Sequence, residues 1–181
     1  GGVVVERAMY GDSRAWATNS IGATAPAQQW FLAEGSSRGG METWVLVLNP
    51  GKQEVKVDCA FMTESGEQAP PALQGMRVGA GSRRTIRVND YLSSYDVSTR
   101  VQATGGVVVE RTMFGDGRAW ATNSIGATAP AQQWFLAEGC TKDGFETWLL
   151  VQNPGDGTAE VRLTYLTDLG LVPMDPFTIP P

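Results

Sequence analysis

The sequence GGVVVERTMFGDGRAWATNSIG, Gly105–Gly126, predicts a β-hairpin. It joins a Val-rich stretch to a stretch of Trp, Ala and Thr through GDG, a short turn sequence. Residues with high β-propensity on both sides of a Gly-Asp turn are typical of two antiparallel strands. Nearly the same sequence, GGVVVERAMYGDSRAWATNSIG, occupies Gly1–Gly22, so we expect the chain to contain this hairpin twice.

The repeat extends beyond the hairpin at a constant offset of 104 residues. Gly1–Gly35 and Gly105–Gly139 differ at only three positions, which are Ala8/Thr112, Tyr10/Phe114 and Ser13/Gly117. Further along, GMETWVLVLNPG at Gly40–Gly51 corresponds to GFETWLLVQNPG at Gly144–Gly155. A fixed internal offset is typical of repeat architectures. Because the chain holds less than two periods, we expect it to be a window on a longer tandem array. Residues 104 positions apart are called counterparts below.

Alternating apolar and polar residues predict strands throughout one repeat. The residues expected to face the core are Val55, Val57, Cys59 and Phe61 in one strand, Ile86 and Val88 in the next, and Val97, Thr99, Val101 and Ala103 in a third. No segment has helical periodicity over three turns. Seven or eight short strands per repeat predict an all-β fold of antiparallel Ig-like or fibronectin-like β-sandwich repeats of about 104 residues in tandem.

The segment SIGATAPAQQ has no periodicity and is interpreted as a connector between sandwiches. Residues 1–25 are then the closing hairpin of a preceding repeat, residues 26–129 one complete sandwich, and residues 130–181 the first half of the next repeat. Ala-Pro restricts the preceding residue to extended conformations, so we expect a short, stiff connector and a rod-like chain of sandwiches.

Composition excludes several function classes. The chain has no histidine, which rules out Ser-His-Asp and Cys-His catalysis within its 181 residues. Its net charge is −5 with scattered basic residues, which argues against nucleic-acid binding. No apolar run approaches the roughly 20 residues that span a membrane.

The motifs WFLAEG, FETWLLVQNPG and VVVERTMFGDGRAWATNSIGATAP together resemble a tandem β-sandwich repeat of large secreted or surface-attached bacterial proteins. The resemblance covers essentially the whole chain. It implies an extracellular, Ig-like or fibronectin-like sandwich and implies no reaction.

Repeats of this kind often carry a cysteine after AEG that is bridged to the following strand. Here Cys140 follows AEG, but Leu150 stands at the expected partner position, and the counterparts are Ser36 and Leu46. We therefore expect no such bridge, and we expect Cys59 to be a small buried hydrophobic residue.

Six tryptophans form the candidate ligand or inter-repeat contact set, and they fall into three counterpart pairs: Trp16/Trp120, Trp30/Trp134 and Trp44/Trp148. Exposed Trp rings can bind sugars, whereas buried rings pack cores and junctions. We favour packing. On the Trp44–Leu48 strand we expect the Trp face to be the less buried one, because Leu48 becomes Gln152 in the second copy.

Repeated carboxylates suggest two further alternatives. They are Glu6/Glu110, Asp12/Asp116, Glu34/Glu138 and Glu42/Glu146. A glycosidase needs two carboxylates across a cleft, which a sandwich repeat does not obviously offer, so we expect no enzyme. Ca²⁺ at a repeat junction, held by Glu34, Glu42 or Asp12, is the other alternative. We favour turn roles and ion pairs with Arg7/Arg111 and Arg14/Arg118.

The sequence therefore predicts a structural repeat that forms a stalk, fibre or filament on or outside a bacterial cell. Its expected partners are neighbouring repeats or copies of itself. The alternative is an adhesin or carbohydrate-binding module that binds surface glycans through the repeated Trp residues. No catalytic residue and no cofactor is predicted.

Overall fold

The structure is a computed structural model that describes residues 1–181, and it is all-β with antiparallel pairing. The chain divides into two compact units, Gly1–Gly139 and Cys140–Pro181. None of its helices has the length and apolar character needed to cross a bilayer. The predicted all-β, antiparallel, β-sandwich-like fold class is confirmed.

Ten strands lie in the first unit and four in the second. The strands are β1 Glu6–Gly11, β2 Trp16–Ile21, β3 Ala27–Leu32, β4 Glu42–Asn49, β5 Val55–Thr63, β6 Gly66–Gln68, β7 Met76–Val78, β8 Ser82–Arg87, β9 Val97–Gly115, β10 Trp120–Ile125, β11 Ala159–Val161, β12 Thr164–Thr167, β13 Gly170–Pro173 and β14 Phe177–Ile179.

In the first unit β1 and β2 form a two-stranded sheet of their own, and the other eight strands form two sheets that share the 19-residue strand β9. The first part of β9 lies between β3 and β5, and β5 also pairs with β6 and β7. The second part lies between β4 and β10, and β8 pairs with the other edge of β4. The two sheets enclose one core. Strand β9 passes from one sheet to the other and therefore turns a corner of the sandwich.

The corner on β9 lies between Ala103, which pairs with β5, and Val108, which pairs with β4. Two glycines occupy it. A Cβ at Gly105 would lie 2.7 Å from Cγ1 of Val55. A side chain at this corner would therefore displace a core valine, which explains why glycine is needed on packing grounds.

Gly105→Ala is expected to lower the free energy of unfolding of the first unit by about 1–3 kcal/mol, because the added methyl group overpacks Val55. Gly1→Ala is the matched control, since a Cβ at its counterpart Gly1 meets nothing within 4 Å. Urea titrations followed by far-UV circular dichroism measure both. Equal stability of the two variants would contradict this account of the corner.

The predicted inward faces are confirmed. Val57, Cys59 and Phe61 of β5 are fully buried, as are Val101 of β9 and Val88 after β8. Burial raises the pKa of the Cys59 thiol to about 12, because the apolar core disfavours the thiolate. Both cysteines are free thiols, and Cys140 is exposed.

Thiol labelling of the native protein at neutral pH is expected to modify Cys140 and leave Cys59 unmodified until the protein unfolds. The Cys140→Ser variant should therefore show no native labelling. The folded state holds Cys59 neutral, so its stabilising contribution is complete below the ordinary thiol pKa of 9.0 and declines as the pH rises towards about 12. Rapid native labelling of both thiols in an Ellman assay would contradict this burial.

The predicted connector is wrong at both ends. Ser20 and Ile21 belong to β2, and Ala27–Gln29 belong to β3, which pairs with β9 across a register shift. Only residues 22–26 remain outside strands. Small polar residues and alanine gave no strand signal there, but the neighbouring β9 supplies backbone partners that override weak propensity. The domain boundaries at 25/26 and 129/130 remain predictions.

The second unit consists of the two antiparallel pairs β11–β14 and β12–β13. The NPG turn is the same in both copies, since the side-chain amides of Asn49 and Asn153 donate to Gln53 O and Gly157 O, each at 2.8 Å. The ETWLLVQ sequence at residues 146–152 forms no strand, although its counterpart forms β4. No strand lies alongside it, and an extended segment needs a neighbour to receive its backbone hydrogen bonds.

Candidate functional site

The two hairpins with nearly identical sequence, β1–β2 and β9–β10, have the same register. Gly11 lies opposite Trp16 in the first, and Gly115 lies opposite Trp120 in the second. A Cβ at either glycine would overlap the indole ring of the Trp opposite. The motif therefore needs glycine before the turn, because the Trp side chain lies across that position.

The turns of both hairpins require left-handed backbone. Ser13 has φ 53° and its counterpart Gly117 has φ 65°. Glycine adopts this conformation without steric cost, whereas serine is strained there. The turn prediction is confirmed. The backbone is left-handed in both copies, although one has serine and the other glycine at this position.

The first hairpin contacts the second inside the Gly1–Gly139 unit. Arg7 Nη1 donates to Glu110 Oε2 at 2.6 Å, and Arg7 Nη2 donates to Asn123 Oδ1 at 2.7 Å. The ring of Trp16 meets the ring of Phe114 edge to face, with centroids 5.4 Å apart. Edge-to-face aromatic pairs contribute about 0.5–1.5 kcal/mol beyond their buried area. This contact joins two successive copies of one sequence, and we call it the hairpin junction.

Arg111 is the counterpart of Arg7 but lies in a different environment. Its side chain is only 5% exposed and forms an ion pair with Glu34. Its Nη1 also donates to Thr122 Oγ1 at 2.7 Å. Burial lowers the pKa of Arg111, and the negative charge of Glu34 opposes that shift. The guanidinium therefore ties β9 and β10 to the segment that follows β3.

Glu42 is the centre of a second charged cluster. Its Oε2 accepts from Arg118 Nη2 at 2.8 Å and from Trp44 Nε1 at 3.2 Å. Arg87 lies 3.9 Å from the same oxygen and places its guanidinium over the Trp44 ring. The hydrogen bond from Arg118 lowers the pKa of Glu42, which favours the ionised form that the cluster needs. The expected pairing of repeated carboxylates with Arg7, Arg111 and Arg118 is confirmed, whereas the prediction for Arg14 is wrong, because Arg14 lies over the Tyr10 ring and pairs with no carboxylate.

The six tryptophans lie in three kinds of environment. Trp30 is in the core at 2% exposure, while Trp16, Trp44 and Trp120 are half-buried. Trp134 and Trp148 are 63% and 76% exposed. The structure brings Trp16 onto Phe114 and Trp44 onto Arg87, and it does not place the six rings on one surface. The expectation that the Trp44 face is the less buried one is confirmed, because Val45 and Val47 are fully buried and Leu48 is 40% exposed.

The carboxylates considered for Ca²⁺ do not fit a hard-cation site. Glu34 and Glu42 are engaged by arginines. Asp116, the counterpart of Asp12, accepts from Trp120 Nε1 at 3.1 Å. No group of three or more His, Cys, Asp or Glu side chains converges anywhere in the chain. Ca²⁺ takes six to eight oxygen ligands, and no such group of oxygens is gathered here. The arginines beside Glu34 and Glu42 would also repel a cation.

A shallow polar depression of about 130 Å³ lies on the outer face of β5 and β9. Its charged residues are already partnered: Arg100 donates to both oxygens of Glu67, and Asp58 accepts from Gly75 N at 2.6 Å. These groups hold the segments around β6 and β7 in place.

Sequence reasoning missed the hairpin junction. Arg7 was expected to pair with a repeated carboxylate, which Glu110 is, but no contact between the two hairpins was predicted and Phe114 was not singled out. The only available signal was that Tyr10/Phe114 is one of three differences between otherwise identical segments. In the structure Phe114 is the residue that receives Trp16, so the difference falls at the contact.

Two sheets around a shared strand define an all-β, β-sandwich-like protein. The chain belongs to the family of unknown function DUF5719, whose family model matches residues 2–109.

Among solved structures, the crystal structure of Thermotoga maritima 1070 is similar over 57% of this chain and 96% of that chain, with a TM-score of 0.50 and 16% identity. The Anabaena sensory rhodopsin transducer is similar over 49% of this chain and 97% of that chain, with a TM-score of 0.40 and 20% identity. The first likeness supports the β-sandwich-like fold and nothing beyond it. No curated protein matches the chain.

Proposed function

We propose that this chain is a structural segment of a secreted or surface-attached bacterial protein, in which tandem sandwich repeats form a stalk or filament. The hairpin junction carries the proposal. Arg7–Glu110 and Trp16–Phe114 join one hairpin to the next copy of its sequence, so successive copies have surfaces that fit each other. The protein acts through the length of its array and through the repeated surfaces that it presents, rather than by catalysis.

Three further observations support this proposal. The 104-residue offset preserves the junction sequence with three differences in 35 positions. The family match covers residues 2–109, a span close to one repeat length. The carboxylates that could serve as acid or base, Glu34 and Glu42, neutralise arginines instead.

Small-angle scattering of arrays with increasing numbers of complete repeats tests the proposal. A stalk requires the maximum dimension to increase by a constant length with each added repeat. The same arrays carrying Trp16→Ala and its counterpart Trp120→Ala report whether aromatic contacts stiffen the junction. A maximum dimension that stays nearly constant as repeats are added would overturn the stalk.

The second candidate is a glycan-binding adhesin, and Trp44 favours it. Its ring is half-buried beside Glu42 and Arg87, a combination of an aromatic face with polar groups that suits a sugar. A glycan array with the chain and its Trp44→Ala variant decides the case. Binding that is lost in the variant while the circular dichroism spectrum is unchanged would support the adhesin.

A further inference from the structure

The chain enters and leaves the β-sandwich at the same place on β9. Ala27, the first residue of β3, lies opposite Val107. Ile125, the last residue of β10, lies opposite Glu110. Because residues along a strand advance by about 3.3 Å each, the two attachment points are only about 10 Å apart on β9. A pull along the chain therefore acts across this short part of β9 before it acts on the rest of the sandwich.

The entering and leaving segments are also bonded to each other. Phe31 N donates to Ala127 O at 2.8 Å, and Ala127 N donates to Phe31 O at 2.9 Å. Between β10 and this bridge, Gly126 N donates to Val109 O at 3.1 Å. A Cβ at Gly126 would lie 3.0 Å from Phe31 O, so the close approach needs glycine. We call β3 the entry strand, and residues 120–127, which are β10 with Gly126 and Ala127, the exit segment.

The entry strand and the exit segment are anchored differently, although both pair with β9. Trp30 and Leu32 of the entry strand lie in the core at 2% and 3% exposure, and Trp30 Nε1 donates to Val107 O at 2.8 Å. Strand β10 contributes no buried side chain, and Ile125 only packs against the edge of the core. The core therefore holds the entry strand, whereas hydrogen bonds hold the exit segment.

Detachment of β10 leaves no buried charge without a partner. Arg111 Nη1 donates to Thr122 Oγ1 of β10 at 2.7 Å, but its ion pair is with Glu34, which follows the entry strand. Asn123 Nδ2 of β10 donates to Arg111 O at 2.9 Å and to Thr112 Oγ1 at 2.8 Å. These neutral contacts are exchanged for water when β10 leaves. The Arg111 guanidinium keeps its opposite charge, so the large penalty of an unpaired buried ion is avoided.

Tension reaches the hydrogen bonds between β10 and β9 one pair at a time. It acts first at Ile125, and the register continues from there to Trp120, which lies opposite Gly115. Bonds that are loaded in sequence open at lower force than bonds loaded together, because each step breaks only one pair. The exit segment therefore opens by peeling, from its last residue towards the turn at residues 116–118.

We propose that the exit segment is a latch, which chain tension releases from β9 and from Phe31 while the entry strand and the core stay folded. Residues 116–128 then extend to at most about 45 Å, at about 3.3–3.6 Å per residue. The hydrogen bonds form again when the tension falls. The proposal deepens the stalk function and rests on it, because it makes a stalk under load extensible at each repeat without loss of the fold.

Optical tweezers on the 181-residue chain test the latch. The two handles are attached to azide-bearing side chains placed at Ala25 and Ala129, which are exposed and lie outside the strands. We expect a reversible lengthening of about 45 Å, followed at severalfold higher force by loss of the remaining fold. Ala127→Pro, which removes one bond to Phe31, should lower the force of the first step and leave its length unchanged. Thr128→Pro, at the next position, where no backbone hydrogen bond is made, is the matched control.

A disulfide between β9 and β10 identifies the strand that leaves. Glu110→Cys and Ile125→Cys are directly opposed, and Cys140→Ser removes the other exposed thiol. Opposed residues of antiparallel strands have Cβ atoms close enough for a disulfide. The first step should disappear when this bond is formed and return when it is reduced, so one protein serves as its own control.

Two results would overturn the latch. One is unfolding of the reduced protein in a single step, and the other is a first step that persists with the disulfide formed. Arrays that lengthen with repeat number in scattering would then leave the stalk proposal standing. Arrays that do not lengthen would overturn the stalk even where the first step is observed, so the two proposals fail separately.

Discussion

Trp30→Ala is expected to lower the free energy of unfolding of the first unit by about 3–5 kcal/mol. Trp30 is 2% exposed and is among the largest fully buried side chains of the core. Its Nε1 donates to Val107 O at 2.8 Å and to Ala27 O at 3.2 Å. The substitution removes the ring, leaves a cavity and deprives a buried carbonyl of its donor. Because domains are stable by only about 5–15 kcal/mol, a large share of total stability is lost.

The chain supplies its own control for this experiment. Trp134 lies in the same local sequence but is 63% exposed, so Trp134→Ala should change stability by less than about 0.5 kcal/mol. Both variants are compared by urea denaturation with far-UV circular dichroism, at a protein concentration where the chain is monomeric. Similar losses in the two variants would show that the core around Trp30 is not organised as described.

The fold class followed from alternation because alternation reflects burial directly. On β5 the inward residues Val57, Cys59 and Phe61 are fully buried and Lys56 and Asp58 are exposed, as the period of two requires. The turns followed from glycine and asparagine, whose chemistry is local. These features depend on one segment and its solvent exposure, so a single sequence contains enough information to predict them.

The pairing partners could not be predicted in the same way. Strand β9 was seen as separate strands, because Gly105 and Gly106 look like a break although the backbone continues through them as a sheet corner. The hairpin junction depends on contacts between Arg7 and Glu110, which lie 103 residues apart in the chain. Trp30 and Trp134 lie in identical local sequences, yet Trp30 is 2% exposed and Trp134 is 63% exposed. These differences depend on which distant strands pack against each segment, and the local sequence does not contain that information.

The ion pair between Glu34 and Arg111 leads to the second large expected effect. Glu34→Ala should lower the free energy of unfolding by about 3 kcal/mol, because it leaves a buried guanidinium with no opposite charge. The Arg111 side chain is 5% exposed, and after the substitution its Nη1 retains only the bond to Thr122 Oγ1. High salt should recover little of this loss, since buried charges are weakly screened.

A double-mutant cycle separates the cost of the unpaired charge from the value of the pair. Arg111→Met combined with Glu34→Ala should be markedly more stable than Glu34→Ala alone, because an apolar side chain fills the site without a charge to desolvate. Glu138 is the exposed counterpart of Glu34, so Glu138→Ala should leave the stability of the monomer nearly unchanged. Arg7 is 44% exposed in its ion pair with Glu110, so Arg7→Ala should lower the free energy of unfolding by less than about 1 kcal/mol. If Glu34→Ala proved as mild as Glu138→Ala, Arg111 would have to be solvated in the folded protein. The guanidinium would then not be what fastens β9 and β10 to the segment after β3.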